Sequence, residues 1–170
     1  IMALPADATL GLDFRDLLSL DDALIEVDLT PDRGDCLSIA GIAREVSVIN
    51  AVELNKPAFD SVDTTHDETF PVEIQAPKAC PRYACRVVKG IDVNAATPDW
   101  MVEKLRRGGI RAINPVVDIT NYVMLELGQP MHGFDLNDLK GSIRVRRAIK
   151  QEPITLLDGQ ELILSKDDLV

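Results

Sequence analysis

The chain has 170 residues, of which 46% are apolar and 27% charged, with a formal net charge of −10. That length allows one or two domains with a sizeable core, and the balance is that of a soluble globular protein, which excludes a disordered chain. No apolar run approaches a membrane span and the first residues carry neither a basic n-region nor an apolar h-region, so the sequence shows no targeting signal and the expected compartment is the cytoplasm.

The chain opens at Ile1 in mid-pattern and reads as a segment cut from something longer. Residues 7–22 are polar and Asp-rich, with Leu10, Leu12, Phe14, Leu17, Leu18 and Leu20 interleaved, a texture of loop and short elements. Leu24–Leu29, LIEVDL, alternates apolar and acidic side chains as a half-buried strand does. After a turn over Thr30–Asp35, Asp35 is placed to cap a helix from Cys36 to Asn50, where Leu37, Ile39, Ala40, Ile42, Ala43, Val46 and Ile49 recur near the helical period. A helix N-terminus can activate a thiol, but no histidine is close to Cys36 and two aspartates flank it. The turn therefore reads as an Asp–Arg brace through Arg33. Residues 55–70 lose all periodicity and form the expected linker, with His66 as an exposed loop histidine.

From Pro71 the texture changes to short strands, PVEIQA at 71–76 and YACRVVKGI at 83–91. A helix follows, capped by Thr97, begun by Pro98 and stopped by Gly108 and Gly109, with Glu103 placed to pair with Arg106 or Arg107. The next element is the most distinctive stretch, NPVVDITNYVMLELGQPMHGFD, Asn114–Asp135. Asn114 suits the N-cap, Pro115 the first helical position and Gly128 the left-handed residue past the end. Its apolar residues cover more than one face, so the helix is expected to be buried on most sides. Asp118, Thr120 and Asn121 inside that run must each find a partner, since burial without one costs roughly 1–3 kcal/mol. The turn that follows brings out His132, which suggests a pocket walled by helix and loop. IRVRRA at 143–148 reads as a strand with Arg144 and Arg146 on one face, ITLLDGQELIL at 154–164 as a hairpin turned at Asp158–Gly159, and SKDDLV as the entry to a further strand.

Acidity is confined to the first half. Residues 1–77 hold 4 basic and 16 acidic side chains, whereas residues 78–170 hold 14 and 12. Basic clusters at Lys78–Lys89, Lys104–Arg111 and Lys140–Lys150 can serve as phosphate contacts or as solvated faces. Cys36, Cys80 and Cys85 are odd in number and form no CxxC pair, the pattern of reduced thiols. No nucleotide-binding glycine motif, hydrolase elbow or HExxH is present, and His132 with Asp118 or Asp135 is too few ligands for a metal site. What remains is the polar set Thr120, Asn121 and His132, in which the imidazole titrates in a useful range. The expected fold class is α+β, with mixed or antiparallel sheets and about three helices.

TPDRGDCLSIAGIARE at 30–45, RYACRVVKGI at 82–91, WMVEKLRRGGIRAINPVVDITNYVMLELGQPMHGFD at 100–135 and LLDGQEL at 156–162 follow one another in an order that resembles the beta subunit of bacterial phenylalanyl-tRNA synthetases. The resemblance implies that residues 1–55 are the closing half of the first module, 56–70 a linker, and 71–170 the first part of the editing, tRNA-binding module. It further implies hydrolysis of tyrosine wrongly attached to the phenylalanine tRNA, with Thr120 and Asn121 in the substrate pocket and His132 in orientation or proton transfer. Further pocket residues are expected beyond Val170. The implied partners are tRNA and an alpha subunit, in an assembly of two alpha and two beta chains. ATP and Mg2+ are implied for the parent enzyme and none for this stretch. The alternative is a non-catalytic scaffold that packs subunits and steers tRNA. The family usually has Asn at the position of Asp32 and Ala at that of Gly133.

Overall fold

The computed structural model describes Leu4, Ala6 and residues 8–170; Ile1 and Asp7, at the start of the first stretches considered above, lie outside the described residues. Two compact units are each built from two separated segments. Ile1–Phe59 with Asp92–Gly133 makes a helical unit, and Asp60–Ile91 with Phe134–Val170 a unit of strands.

The helical unit contains α1 (Phe14–Leu17), a 3-10 turn (Gly34–Cys36), α2 (Ile39–Asn50), α3 (Asp99–Arg107) and α4 (Pro115–Leu127). Helix α4 packs against both α2 and α3 and is the centre of the unit. Its limits follow from local chemistry. Asn114 Oδ1 accepts from the N–H groups of Val116 and Val117 at 3.1 Å each, Pro115 takes the first helical position, and Gly128 leaves the helix at φ 76°. Helix α4 is only half-buried, since Asp118 alone is buried along it and Ile119 and Leu127 are exposed. The expectation of burial on most sides is corrected accordingly.

Helix α2 is capped by Ser38, not by Asp35. Ser38 Oγ accepts from Gly41 N–H at 3.0 Å, while Asp35 belongs to the 3-10 turn before it. That turn lies so close to the helix that a methyl group on Gly41 would collide with the Asp35 carbonyl. Helix α3 starts after Pro98, and Thr97 makes no cap because its hydroxyl is engaged elsewhere. At the other end of α3, Gly108 faces Leu125 of α4; at its start, Trp100 meets Tyr122 edge to face at 5.2 Å between centroids. Leu105 is fully buried and Met101 nearly so.

The strand unit contains β1 (Val72–Ile74), β2 (Ile143–Val145), β3 (Glu152–Thr155) and β4 (Glu161–Leu164). Strands β1 and β2 are parallel, with Val72 opposite Ile143 and Ile74 opposite Val145. Strands β3 and β4 form the expected hairpin, closed by Leu156 N–H on the Gln160 carbonyl at 2.8 Å. SKDDLV returns against the segment after β2, with Arg147 and Leu169 bridged antiparallel. Val145 and Ala148 are the buried apolar residues of this unit. LIEVDL and YACRVVKGI, both expected as strands, are irregular. Alternation makes a segment compatible with a sheet, but a strand exists only where a partner supplies the ladder. The α+β class holds, with four α-helices and one parallel and one antiparallel pair of strands among the described residues. Among the described residues no helix is long and apolar enough to cross a membrane.

Candidate functional site

Thr120 and Asn121 stand on α4, both half-buried, and His132 follows on an exposed loop. The Thr120 hydroxyl donates to the Val117 carbonyl at 2.8 Å, one turn back, which leaves its oxygen lone pairs as acceptors. The Asn121 amide makes no hydrogen bond among the described residues, so both its donors and its acceptor are available to a ligand.

The loop is held against the helix it leaves. Gly128 adjoins Ser38, where an added Cβ would stand 3.0 Å from Ser38 Oγ, and Gly133 adjoins Val116, where an added Cβ would stand 3.0 Å from Val116 Cγ1. Residues 129–133 therefore run from the end of α4, about 20 Å along its axis, back to its first turn. Val116 and Thr120 lie four residues apart on one face. His132 immediately precedes Gly133 on this loop.

Asp118 finds the partners that its place in the apolar helix requires. It is only 1% exposed, and its carboxylate ties three segments together. Oδ2 accepts from the Thr97 hydroxyl at 2.5 Å and Oδ1 from Ile113 N–H at 2.8 Å. Thr97, expected to cap α3, is the partner that the sequence does not name. A depression of about 420 Å³ opens beside Asp118, lined by Asn94, Thr97, Val102 and Asn114 among others, and neither it nor a second hollow of about 260 Å³ near Trp100 includes Thr120, Asn121 or His132.

The turn before α2 contains the brace read from its sequence. Arg33 Nε lies 3.1 Å from Asp35, and its Nη2 lies 2.8 Å from Glu45 and 3.0 Å from the Cys36 sulfur. Asp35, Cys36 and Glu45 bring their ligand atoms within 4.8 Å of one another, but the guanidinium already fills that space. Burial also pushes the Cys36 thiol up, with the Arg33 charge opposing. A protonated sulfur and a resident cation do not fit Mg2+, which demands oxygen ligands. Cys36, Cys80 and Cys85 are free thiols.

Many of the basic side chains are already engaged. Arg146 makes a two-pronged pair with Glu152 at 2.7 and 2.9 Å, and Arg144 lies 3.5 Å from Glu73. Arg107 and Lys104 share Asp22 at 2.6 and 2.9 Å, Arg106 pairs with Glu103, and Lys89 with Glu68. Lys78, Arg82, Arg86, Arg111, Lys140 and Lys150 make no ion pair among the described residues. These six, unlike Arg146, can meet an anion without first leaving a carboxylate.

Known proteins resemble this chain along its whole length. It is 61% identical over 170 residues to the phenylalanine–tRNA ligase beta subunit of Pectobacterium atrosepticum. The corresponding identities are 58% for the subunit so named from Photorhabdus laumondii and 59% for that from Dickeya dadantii. All of the chain is covered, whereas it spans only 21% of each of these relatives. The family model described as the B3/4 domain matches residues 79–170, a stretch that takes in β2, β3, β4, α3 and the whole of α4 with its loop. With more than half of its residues in that match, the chain belongs to the B3/4 domain family.

Proposed function

We propose that this chain is a piece of a phenylalanine–tRNA ligase beta subunit and contributes to hydrolysis of tyrosine wrongly attached to the phenylalanine tRNA. The observation that carries the reading is the 61% identity across all 170 residues. In the parent enzyme an alpha subunit, in an assembly of two alpha and two beta chains, attaches phenylalanine to tRNA with ATP and Mg2+ in the cytoplasm. No residue of this chain is assigned to either cofactor. Residues 1–55 close the first module, 56–70 link, and 71–170 open the editing module.

Asn121 and Thr120 offer a donor and acceptors from one helix, suited to a tyrosyl group whose phenol distinguishes it from phenylalanine. A site that hydrogen-bonds a hydroxyl discriminates against the analogue lacking it by a factor on the order of 10⁴–10⁵, because its polar groups are then left unpaired. His132, on the loop beside α4, orients the ester or accepts a proton from the attacking water. Asn121→Ala in the complete enzyme is expected to lower tyrosine release from the mischarged tRNA while phenylalanine charging persists. Equal release by the variant and the parent enzyme would remove Asn121 from the site.

The scaffold reading, in which Arg144 and Arg146 steer tRNA, is weaker because Arg146 is committed to Glu152 and Arg144 to Glu73.

A further inference from the structure

We infer that the depression beside Asp118 receives the base of the terminal adenosine of the mischarged tRNA, the nucleoside whose ribose carries the tyrosyl ester. The inference rests on the editing role proposed for α4 and deepens it by giving that nucleoside a place next to Asn121.

The depression measures about 420 Å³, the size of a small-molecule pocket, and lies wholly within the helical unit. Its lining is largely apolar and in part uncovered, Val93 being 60% and Ile113 65% exposed. The charge at its wall decides which ligands fit. Asp118 accepts only from neutral donors, the Thr97 hydroxyl and Ile113 N–H, and makes no ion pair among the described residues. A phosphate would therefore meet an uncompensated carboxylate. A cation fits no better, because Asp118 is 1% exposed and both its oxygens are engaged. What remains is a neutral group with an apolar face and a hydrogen-bonding edge.

Two amides supply partners for such an edge. Among the described residues the Asn94 side chain makes no hydrogen bond, and Asn114 uses only its Oδ1, which leaves its Nδ2 as a donor. An asparagine amide presents a donor and an acceptor side by side, the complement of the N7 acceptor and N6 donor of adenine. Asn94 is exposed, so its amide can turn to meet that edge.

The depression also adjoins the proposed site. Asn114, Asp118 and Asn121 recur at i, i+4 and i+7 and form one stripe of α4. Asn121 stands about 4.5 Å further along the axis than Asp118. A nucleoside with its base in the depression needs to reach only one helical turn to place its ester beside Asn121.

The test uses the complete alpha–beta enzyme with Asn94→Ala, which removes the free amide, and Ala96→Phe, which fills the depression from an exposed position. Two quantities are measured. The first is kcat and KM for tyrosine release, with tyrosyl-tRNA ending in adenosine or in 7-deazaadenosine, which lacks the N7 acceptor. The second is photo-cross-linking of a tRNA that ends in 8-azidoadenosine and carries tyrosine through an amide in place of the ester, with the labelled residues mapped by mass spectrometry. Asn94→Ala is expected to raise KM about threefold to tenfold at nearly constant kcat, as loss of a ground-state hydrogen bond does. The parent enzyme prefers adenosine to 7-deazaadenosine by about threefold or more in KM, and Asn94→Ala shows no preference. Label falls within residues 93–114 in the parent and is lost in Ala96→Phe. An unchanged KM in Asn94→Ala, a preference for adenosine that survives this substitution, or label confined to other segments overturns the inference. If either variant does not fold, the position of the label in the parent decides. Should His132→Ala release tyrosine at the parental rate, the editing role fails, and the label, which needs no hydrolysis, still decides whether the depression holds the base.

Discussion

The Thr97 hydroxyl and the Asp118 carboxylate meet at 2.5 Å across 21 positions of sequence, and through this bond the segment before α3 is fastened to the first turn of α4. Asp118 is almost wholly buried and also holds Ile113 N–H, so it organises the N-terminal end of the helix that carries Thr120 and Asn121. A buried acceptor deprived of its donor costs about 1–3 kcal/mol. Thr97→Val is expected to lower unfolding free energy within that range, and Asp118→Ala by more, since it strips partners from both Thr97 and Ile113. Urea unfolding of the purified variants reads this directly; a Thr97→Val midpoint equal to the parent's would show that the bond contributes nothing.

Two carboxylates tie acid stability to basic partners. Hydrogen bonds from Lys104 and then Arg107 hold Asp22 down to about 2 from an ordinary 3.8, and Arg146 with Ile149 N–H holds Glu152 down to about 2 from 4.5. Each group binds its proton less readily in the folded chain, so its stabilisation is fully present above the ordinary value and is lost as pH falls toward 2. Melting temperature is expected to decline between about pH 4.5 and pH 2, with part of that decline absent in Asp22→Asn and Glu152→Gln. A double variant whose melting temperature falls as steeply as the parent's over that range would contradict the assignment.

Thiol reactivity follows burial. Cys85 is exposed, Cys80 half-buried, and Cys36 is 4% exposed with its thiol pushed up by burial. Iodoacetamide is expected to label Cys85 first and Cys36 last, because the thiolate is the reacting form and must be reached. In denaturant the three become comparable. Early labelling of Cys36 in the folded protein would refute the buried, Arg33-braced turn.

What could be read in the sequence was what local chemistry decides. Asn114, Pro115 and Gly128 bounded α4 because a cap, a missing N–H and a left-handed residue act within a few positions. Asp158–Gly159 marked the hairpin for the same reason, and Arg33 with Asp35 the brace. The remainder depends on partners distant in sequence. Thr97 has the chemistry of a cap, yet Asp118 captures its hydroxyl. Asp35 precedes an apolar period, but the 3-10 turn moves the cap to Ser38. Strands β1 and β2 pair in parallel although 68 residues separate Ile74 from Ile143, which no periodicity encodes. LIEVDL alternates without gaining a strand partner. For the site, the polar residues within the apolar helix were legible, whereas the contact of Gly133 with Val116 required the folded chain.

The most direct test of the central claim is the rate of tyrosine release from tyrosyl-tRNA for phenylalanine, compared between the complete enzyme and its His132→Ala form. The account predicts that the parent clears tyrosine and that His132→Ala does so far more slowly, on the order of 10²-fold or more, while still charging phenylalanine. Release by His132→Ala at the parental rate would contradict it and leave His132 with a structural role alone.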